Sequence, residues 1–157
     1  MFLQKIFPLE CIKVNLEAED KDEAFEELVD LLCQAGMATD REKLLAAVKE
    51  RESKMSTGIH KGIAVPHGNT NAVDTVRGVV GISGKGIDYD ALDGEPVYVL
   101  FMVFGPDEEK EMHLKTLKRM AELLEDAQFY NDLREQKDSQ GVYQVIGTYE
   151  NMHVALT

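Results

Sequence analysis

The chain contains one long apolar segment, Val97-Tyr98-Val99-Leu100-Phe101-Met102-Val103-Phe104-Gly105. The segment lacks the polar alternation of a half-exposed strand, so it is predicted to be a central β-strand that is covered on both faces. Pro106 and Asp107 end it. A strand buried on both sides requires helices above and below its sheet, and the neighbouring segments must supply them.

Two amphipathic helices are predicted before this strand. The first runs from Asp20 to Ala35, with Gly36 as its stop, and the second begins after Thr39 or Asp40 and ends near Ser53. Their apolar residues recur at spacings of three and four, which gives each helix one buried stripe. The residues expected to face the core are Ala24, Phe25, Leu28, Leu31, Leu32 and Ala35 in the first helix and Leu44, Leu45 and Val48 in the second.

Three more helices are predicted after the strand. The acidic residues 107–111 are expected to open the longest helix of the chain, to about Glu125, because negative charge is favourable at a helix N-terminus. Shorter helices are expected over Gln128–Glu135 and Ser139–Glu150. The inward-facing residues of the long helix are expected to be Leu114, Leu117, Met120, Ala121 and Leu124.

Further short strands are predicted at Cys11–Leu16, Ile63–Val65 and Val79–Ser83. Strands interleaved with helices favour an α/β fold, here a three-layer α/β/α sandwich with a small mixed β-sheet flanked by helices. The chain of 157 residues has no internal repeat and no long linker, so residues 1–157 are expected to form a single domain.

Charge and composition exclude several classes of function. The chain has 17 Lys+Arg against 29 Asp+Glu, a formal charge of −12, which disfavours nucleic acid and anionic lipid and favours a basic or mixed-charge protein partner. No apolar run approaches the roughly 18 residues that span a bilayer. The two cysteines, Cys11 and Cys33, form no disulfide framework and fit a reducing compartment, so a cytoplasmic protein is expected.

Two segments superficially resemble ligand loops. Asp88–Gly94 has acidic spacing near that of a calcium loop, but the third acid comes one residue late and Val99 stands where a glutamate would close the site. Gly81–Gly86 lacks the full phosphate-loop pattern. No metal site and no cofactor are therefore predicted.

His67 is the residue whose sequence context points most clearly to a chemical role. It follows Pro66 at the end of an apolar strand and precedes Gly68, which predicts a rigid corner that presents the ring outward. A neutral imidazole can attack phosphorus with one nitrogen while a backbone group or a carboxylate fixes the other. Such a reaction would give a phosphohistidine, and excluding water from it favours a shallow apolar depression.

The segments around His67 carry a family pattern. They are Arg51-Glu52, Ser56-Thr57-Gly58-Ile59, Gly62-Ile63-Ala64-Val65-Pro66-His67-Gly68, Gly86-Ile87-Asp88-Tyr89-Asp90-Ala91-Leu92-Asp93-Gly94-Glu95-Pro96-Val97 and His113-Leu114-Lys115. In order and spacing the chain resembles the fructose/mannitol-type enzyme IIA domain of the bacterial phosphoenolpyruvate-dependent sugar phosphotransferase system.

The resemblance implies roles for three residues. His67 would accept a phosphoryl group from the phosphohistidine of the small histidine phosphocarrier protein and pass it to a cysteine of enzyme IIB, with His113 and Arg51 lining the site. His113 lies in the predicted first turn of a helix, where an anion is favoured, and Arg51 offers a forked cation. Ser56 or Thr57 is expected to add a hydroxyl donor to the phosphoryl-binding site.

The chain departs from the family pattern at two places. His60-Lys61 stands where a glycine followed by a polar or acidic residue is expected, and Asn69 stands where many members carry arginine. Lys61 is a candidate phosphoryl-binding residue that replaces this charge; a role in partner choice and a plain exposed loop are the alternatives. His153 has no evident partner and is expected on the surface.

Two functions fit the resemblance. The first is a phosphotransferase component for sugar uptake, which works with a separate enzyme IIB and meets the membrane only indirectly through the permease complex. The second is a regulatory protein of the nitrogen-related branch, whose output is phosphorylation-dependent binding to another protein. The sequence names neither the sugar nor the oligomeric state.

Overall fold

The apolar segment forms the central strand of one sheet, as predicted. The computed structural model describes residues 2–156, and the side chains of residues 2–154. The strands are β1 (Ile12–Val14), β2 (Gly58–His60), β3 (Ile63–Ala64), β4 (His67–Asn69), β5 (Arg77–Ile87) and β6 (Val97–Gly105). The helices are α1 (Phe2–Ile6), α2 (Lys21–Gln34), α3 (Arg41–Lys54), α4 (Lys110–Leu124), α5 (Ala127–Glu135) and α6 (Ser139–Leu156).

The sheet is mixed, and β6 lies at its centre. The strand order is β1-β5-β6-β3-β2, and β4 pairs with β6 beyond the end of β3. Strand β5 runs antiparallel to β6, whereas β3 and β4 run parallel to it. Strand β1 is parallel to β5, and β2 and β3 form an antiparallel hairpin.

Helices cover both faces of the sheet, which confirms the predicted three-layer α/β/α architecture. Along β6, Leu100, Met102 and Phe104 pack into a buried cluster with α2 and α3. The alternate residues, Phe101 among them, join a second cluster on the side of α1, α4, α5 and α6. Because successive side chains of a strand point to opposite faces, one apolar segment supplies both halves of the core.

The helices before β6 agree closely with the sequence analysis. Asp20 caps α2 by accepting a hydrogen bond from the Glu23 amide, and Asp40 caps α3 by accepting one from the Lys43 amide. Asp40, rather than Thr39, is therefore the cap of the second helix. The predicted Leu44, Leu45 and Val48 are all buried in α3.

Three predictions about the second half of the chain are wrong. The longest helix is α6, with 18 residues, because its helix continues past Glu150 to Leu156. Residues Asp107–Glu109 form a 3-10 turn, so α4 has only 15 residues. The buried stripe of α4 is also rotated: Leu114 is 69% exposed and Ala121 is exposed. The buried residues of α4 are His113, Thr116, Met120, Leu123 and Leu124.

Several short elements were missed because they are too short to show a period. They are α1, β2 and β4, and the bounds of β1 and β5 also differ from those predicted. His67 does not end the preceding strand but opens β4. Between β3 and β4, Pro66 has no amide hydrogen for the sheet, yet its carbonyl oxygen accepts a hydrogen bond from the Val103 amide at 3.0 Å.

Two smaller expectations can be compared with the side chains. His153 is not without a partner, since its Nε2 lies 2.8 Å from Glu122 Oε2. Cys11 and Cys33 are both free thiols, with Cys11 buried. Among residues 2–156, no helix is both long and apolar enough to cross a membrane.

Phe101 is the residue through which the fold can be tested. Its ring is fully buried and contacts the rings of Phe7 and Phe129, with centroid distances of 5.4 and 6.4 Å. Replacing Phe101 with alanine is expected to lower the free energy of unfolding by about 3–5 kcal/mol, since it leaves a cavity. Urea denaturation should show a lower midpoint at unchanged slope. The exposed control Leu114→Ala should change stability by less than about 0.5 kcal/mol; equal losses would contradict this account of the core.

Candidate functional site

His67 is anchored at the start of β4 by its neighbours in the sheet. Its backbone pairs in register with Val103 of β6, and its Nδ1 lies 2.8 Å from the Val65 carbonyl oxygen. A carbonyl oxygen only accepts, so Nδ1 carries the hydrogen and donates it. The other ring nitrogen, Nε2, therefore keeps its lone pair. The sequence left open whether a backbone group or a carboxylate would fix the second ring nitrogen, and in the structure it is a backbone carbonyl.

The surroundings of His67 favour the neutral ring. Burial lowers its pKa from the ordinary value of 6.5, and the positive charge of Arg51 acts in the same direction. The hydrogen bond to Val65 and the charge of Glu52 oppose this shift without reversing it. At neutral pH the imidazole is thus uncharged and nucleophilic at Nε2.

A cavity of about 220 Å³ lies beside His67, and its lining is more polar than predicted. The expected apolar depression is therefore wrong on this side of the ring. The basic side chains of the lining are Arg51 and Lys54, from the end of α3, and their positive charge suits a phosphoryl group. The lining residues are Ala47, Glu50, Arg51, Lys54, His67, Gly68 and Asn69.

Gly68 explains why α3 comes so close to β4. A Cβ at this position would lie 2.9 Å from the Ala47 backbone carbonyl carbon, so only glycine fits. The close approach brings the last turn of α3 beside His67. Arg51 Nη1 donates to the Met55 carbonyl oxygen at 2.9 Å, which fixes the guanidinium. Lys54, one turn further, lines the same cavity.

Sequence reasoning missed Lys54. The available signal was its spacing of three residues from Arg51 on a helix, which places the two cations on one face. Nothing in the sequence alone showed that this face turns toward His67, because the contact depends on the packing of α3 against β4.

His113 packs beside His67, outside the lining of that cavity, and is deeply buried. The residue is 4% exposed, and its ring stands edge-on to that of His67, with centroids 6.1 Å apart. Its Nδ1 lies 3.0 Å from Asn69 Oδ1. Burial lowers the pKa of His113 to about 4, with a contribution from His67. Its Nε2 is buried and has no hydrogen-bond partner among the described residues.

The hydroxyl of Thr57 serves a structural network. It donates to Glu52 Oε1 at 2.6 Å and lies 2.8 Å from the Tyr89 hydroxyl, while the Thr57 amide donates to Glu52 Oε2. Lys21 Nζ lies 3.1 Å from the same carboxylate. Burial alone would raise the pKa of Glu52, but these hydrogen bonds and the Lys21 charge outweigh it and lower the pKa. The network ties α2, α3 and the segment before β2 together.

Ser56 and Lys61 do not reach the cavity beside His67. The Ser56 hydroxyl oxygen accepts from the Gly58 amide at 3.1 Å. Lys61 lies in the turn between β2 and β3, where its amide donates to Asp93. Ile63 pairs with Val99 whereas His67 pairs with Val103, so these two residues are about 13 Å apart along β6. The turn that carries Lys61 precedes Ile63 and is farther still from His67. The structure thus brings together His67, His113 and Arg51 and leaves Lys61 apart.

The low pKa of His113 predicts a pH-dependent contribution to stability. In the unfolded chain this group titrates near its ordinary value of about 6.5, so below that pH the unfolded state binds more protons than the folded state. The difference in free energy of unfolding between the wild type and His113→Gln should therefore fall by roughly 2–3 kcal/mol from pH 7.5 to pH 4.5. Urea denaturation at both pH values measures it, and a pH-independent difference would contradict the low pKa.

Comparison with known proteins agrees with the fold and shows the family. Residues 5–148 match the family model "Phosphoenolpyruvate-dependent sugar phosphotransferase system, EIIA 2". A fructose-specific EIIA component of Haloferax volcanii is 35% identical over 144 residues, which are 92% of this chain and 94% of that protein. A fructose-specific EIIABC component of Bacillus subtilis is 32% identical over 96% of this chain, which spans only 24% of that protein.

A solved structure is also similar. The nitrogen regulatory protein IIA-Ntr of Neisseria meningitidis superimposes with a TM-score of 0.85 at 26% identity, covering 92% of this chain and 99% of that one. The matched model covers nearly the whole chain and includes His67, His113 and Arg51. The chain therefore belongs to the EIIA type 2 family of the phosphoenolpyruvate-dependent sugar phosphotransferase system.

Proposed function

We propose that His67 is the phosphoryl acceptor of a carrier protein that receives the group from the histidine phosphocarrier protein and passes it to a cysteine of enzyme IIB. One observation carries the proposal: the Nδ1–H of His67 is bound to Val65 O, which leaves Nε2 as a nucleophile beside a cationic cavity. Family membership supports the same chemistry.

The transfer needs no metal or cofactor in this proposal. The Nε2 lone pair of His67 attacks phosphorus, the P–N bond to the donor histidine breaks, and the donor imidazole keeps the electron pair. In the second step a cysteine thiolate of enzyme IIB attacks phosphorus, and the electrons of the broken bond return to Nε2. Arg51 and Lys54 stabilise the negative oxygens throughout, and His113 contacts the group from the opposite side.

The cellular role follows from the relatives. Two of them are named as fructose-specific components, and we propose that this chain serves sugar uptake together with an enzyme IIB. In this role residues 1–157 act as one domain in the cytoplasm and meet the membrane through a permease complex. The acidic net charge of −12 supports a basic or mixed-charge partner surface.

A second function is supported by the similarity to IIA-Ntr, whose name describes a nitrogen regulatory protein. In that case the phosphoryl group on His67 would control binding to another protein instead of passing to enzyme IIB. Both functions share the first transfer and differ in the second. A phosphorylated chain that retains its label with every enzyme IIB tested favours regulation, whereas rapid loss of label to one of them favours transport.

The acceptor assignment predicts a labelling pattern. With phosphoenolpyruvate, the general enzyme of the system and the phosphocarrier protein, the wild type should gain one acid-labile, base-stable phosphate, and His67→Ala should gain none. His60→Ala is the matched control because His60 is an exposed histidine of the same segment, and it should label like the wild type. Labelling that persists in His67→Ala would refute the assignment.

The cations of α3 predict a loss of transfer rate. Arg51→Ala should slow phosphoryl transfer by about 10²–10³-fold, because it removes a group that stabilises the transferring charge. Lys54→Ala should slow transfer as well. Lys49→Ala is the matched control, since Lys49 is exposed on α3 and does not line the cavity. Single-turnover transfer measured by rapid quench checks these rates, and an unchanged rate in Arg51→Ala would remove Arg51 from the mechanism.

A further inference from the structure

The contact between Asn69 and His113 follows from the strand register. Asn69 pairs with Gly105 of β6, and His113 packs against that glycine. A Cβ on Gly105 would lie 2.6 Å from His113 Nδ1, so the glycine is what allows the ring to lie there. The same placement brings His113 Nδ1 to 3.0 Å from Asn69 Oδ1.

This contact fixes the tautomer of His113. An amide oxygen accepts hydrogen bonds but cannot donate one, so His113 Nδ1 carries the hydrogen. A neutral imidazole has a single N–H, and Nε2 therefore has only a lone pair. This atom is buried and has no partner among the described residues. A buried polar atom without a partner costs free energy, which indicates that Nε2 gains its partner during function.

The tautomer matters for the proposed phosphoryl group. The lone pair of Nε2 repels the lone pairs of a phosphoryl oxygen. Because Asn69 occupies Nδ1, Nε2 is the nitrogen of His113 that remains for the phosphoryl group, and it can donate a hydrogen bond only after it has gained a proton.

We propose that Asn69 is a positioning residue that holds His113 as its Nδ1–H tautomer, so that phosphorylation of His67 is coupled to uptake of one proton by His113 Nε2. The proton comes from solvent, and it bonds Nε2 to a phosphoryl oxygen. It returns to solvent when the phosphoryl group leaves. This inference rests on the proposed function of His67 and adds to it a residue and a proton that the phosphoryl-transfer steps alone do not require.

The charges around His113 agree with such a switch. Without phosphate, burial and the facing His67 ring keep the pKa of His113 at about 4. Across the site, α3 presents Arg51, Lys54 and Glu50 to the cavity, which gives that side a net positive charge. A phosphoryl group on His67 places negative charge between these cations and His113, which reverses the balance.

Other charged residues lie at this end of α4, namely Asp107, Glu108, Glu109, Lys110 and Glu111. Glu109, which precedes the helix, accepts hydrogen bonds from the Thr75 hydroxyl and the Val76 amide. Its pKa is lowered by these bonds, so it stays ionised and is not the source of the proton.

The tautomer can be tested without any phosphate. Long-range ¹H–¹⁵N spectra of the uniformly ¹⁵N-labelled full chain at pH 7.5 separate protonated from unprotonated ring nitrogens. We expect a protonated Nδ1 and an unprotonated Nε2 for His113. A protonated Nε2 in the wild type would overturn the proposal, since Asn69 would then have to present its NH₂ group to His113.

Asn69→Ala tests the cause of the tautomer. The variant should lose the preference and show a mixture of the two neutral forms or the Nε2–H form. Asn71→Ala is the matched control, because Asn71 lies two residues after Asn69 and bonds to Asp107 rather than to His113. The control should keep the wild-type spectrum. An unchanged tautomer in folded Asn69→Ala would overturn the assignment to Asn69.

The proton uptake is tested on the phosphorylated chain. After labelling of His67 through the relay, the same spectra should show both nitrogens of His113 protonated at pH 7, although its pKa is about 4 in the unphosphorylated chain. A neutral His113 in the phosphorylated wild type would overturn the coupling. If His67 takes no phosphate at all, the proposed function fails, whereas the tautomer spectra of the unphosphorylated chain still decide the role of Asn69.

Discussion

The burial of β6 on both faces is the constraint on which the rest of the molecule depends. Eight consecutive apolar or aromatic side chains point alternately to the two faces of the sheet and are removed from water there. The strand is therefore stable only with neighbours on both edges and helices above and below. One edge is filled by β5. The other is filled by two short strands in series, β3 and β4, and the break between them at Pro66 creates the position of His67.

The site is therefore a product of the sheet rather than of a loop. His67 and Asn69 belong to one short strand and lie two residues apart, so their side chains share a face. Glycines 68 and 105 allow α3 and His113 to approach that strand more closely than any other residue would permit. Rigid elements on three sides hold the imidazoles and the cations at fixed positions, which is what a transfer dominated by positioning requires.

Burial also sets the acid–base behaviour of the site. Both imidazoles are kept neutral at pH 7 mainly because a buried charge is poorly solvated. For His67 this preserves the nucleophile. For His113 it goes with a buried Nε2 that has no partner among the described residues, and the proposal assigns this nitrogen to a phosphoryl oxygen. In the proposed function, the low pKa values and the cationic side chains of α3 together suit an anion that binds and is then released.

Apolar periodicity and a family pattern are local properties, so the sequence alone predicted the central strand, the helices α2 and α3, and His67 as the candidate acceptor. It also assigned His113 and Arg51, through the resemblance. Tertiary packing was needed to show that Asn69 contacts His113, that Lys54 lines the same cavity as Arg51, that the Thr57 hydroxyl bonds to Glu52 and that Lys61 lies apart. These facts depend on strand register and on close approaches between distant segments. The packing of α4 on the sheet likewise buries His113 and leaves Leu114 exposed.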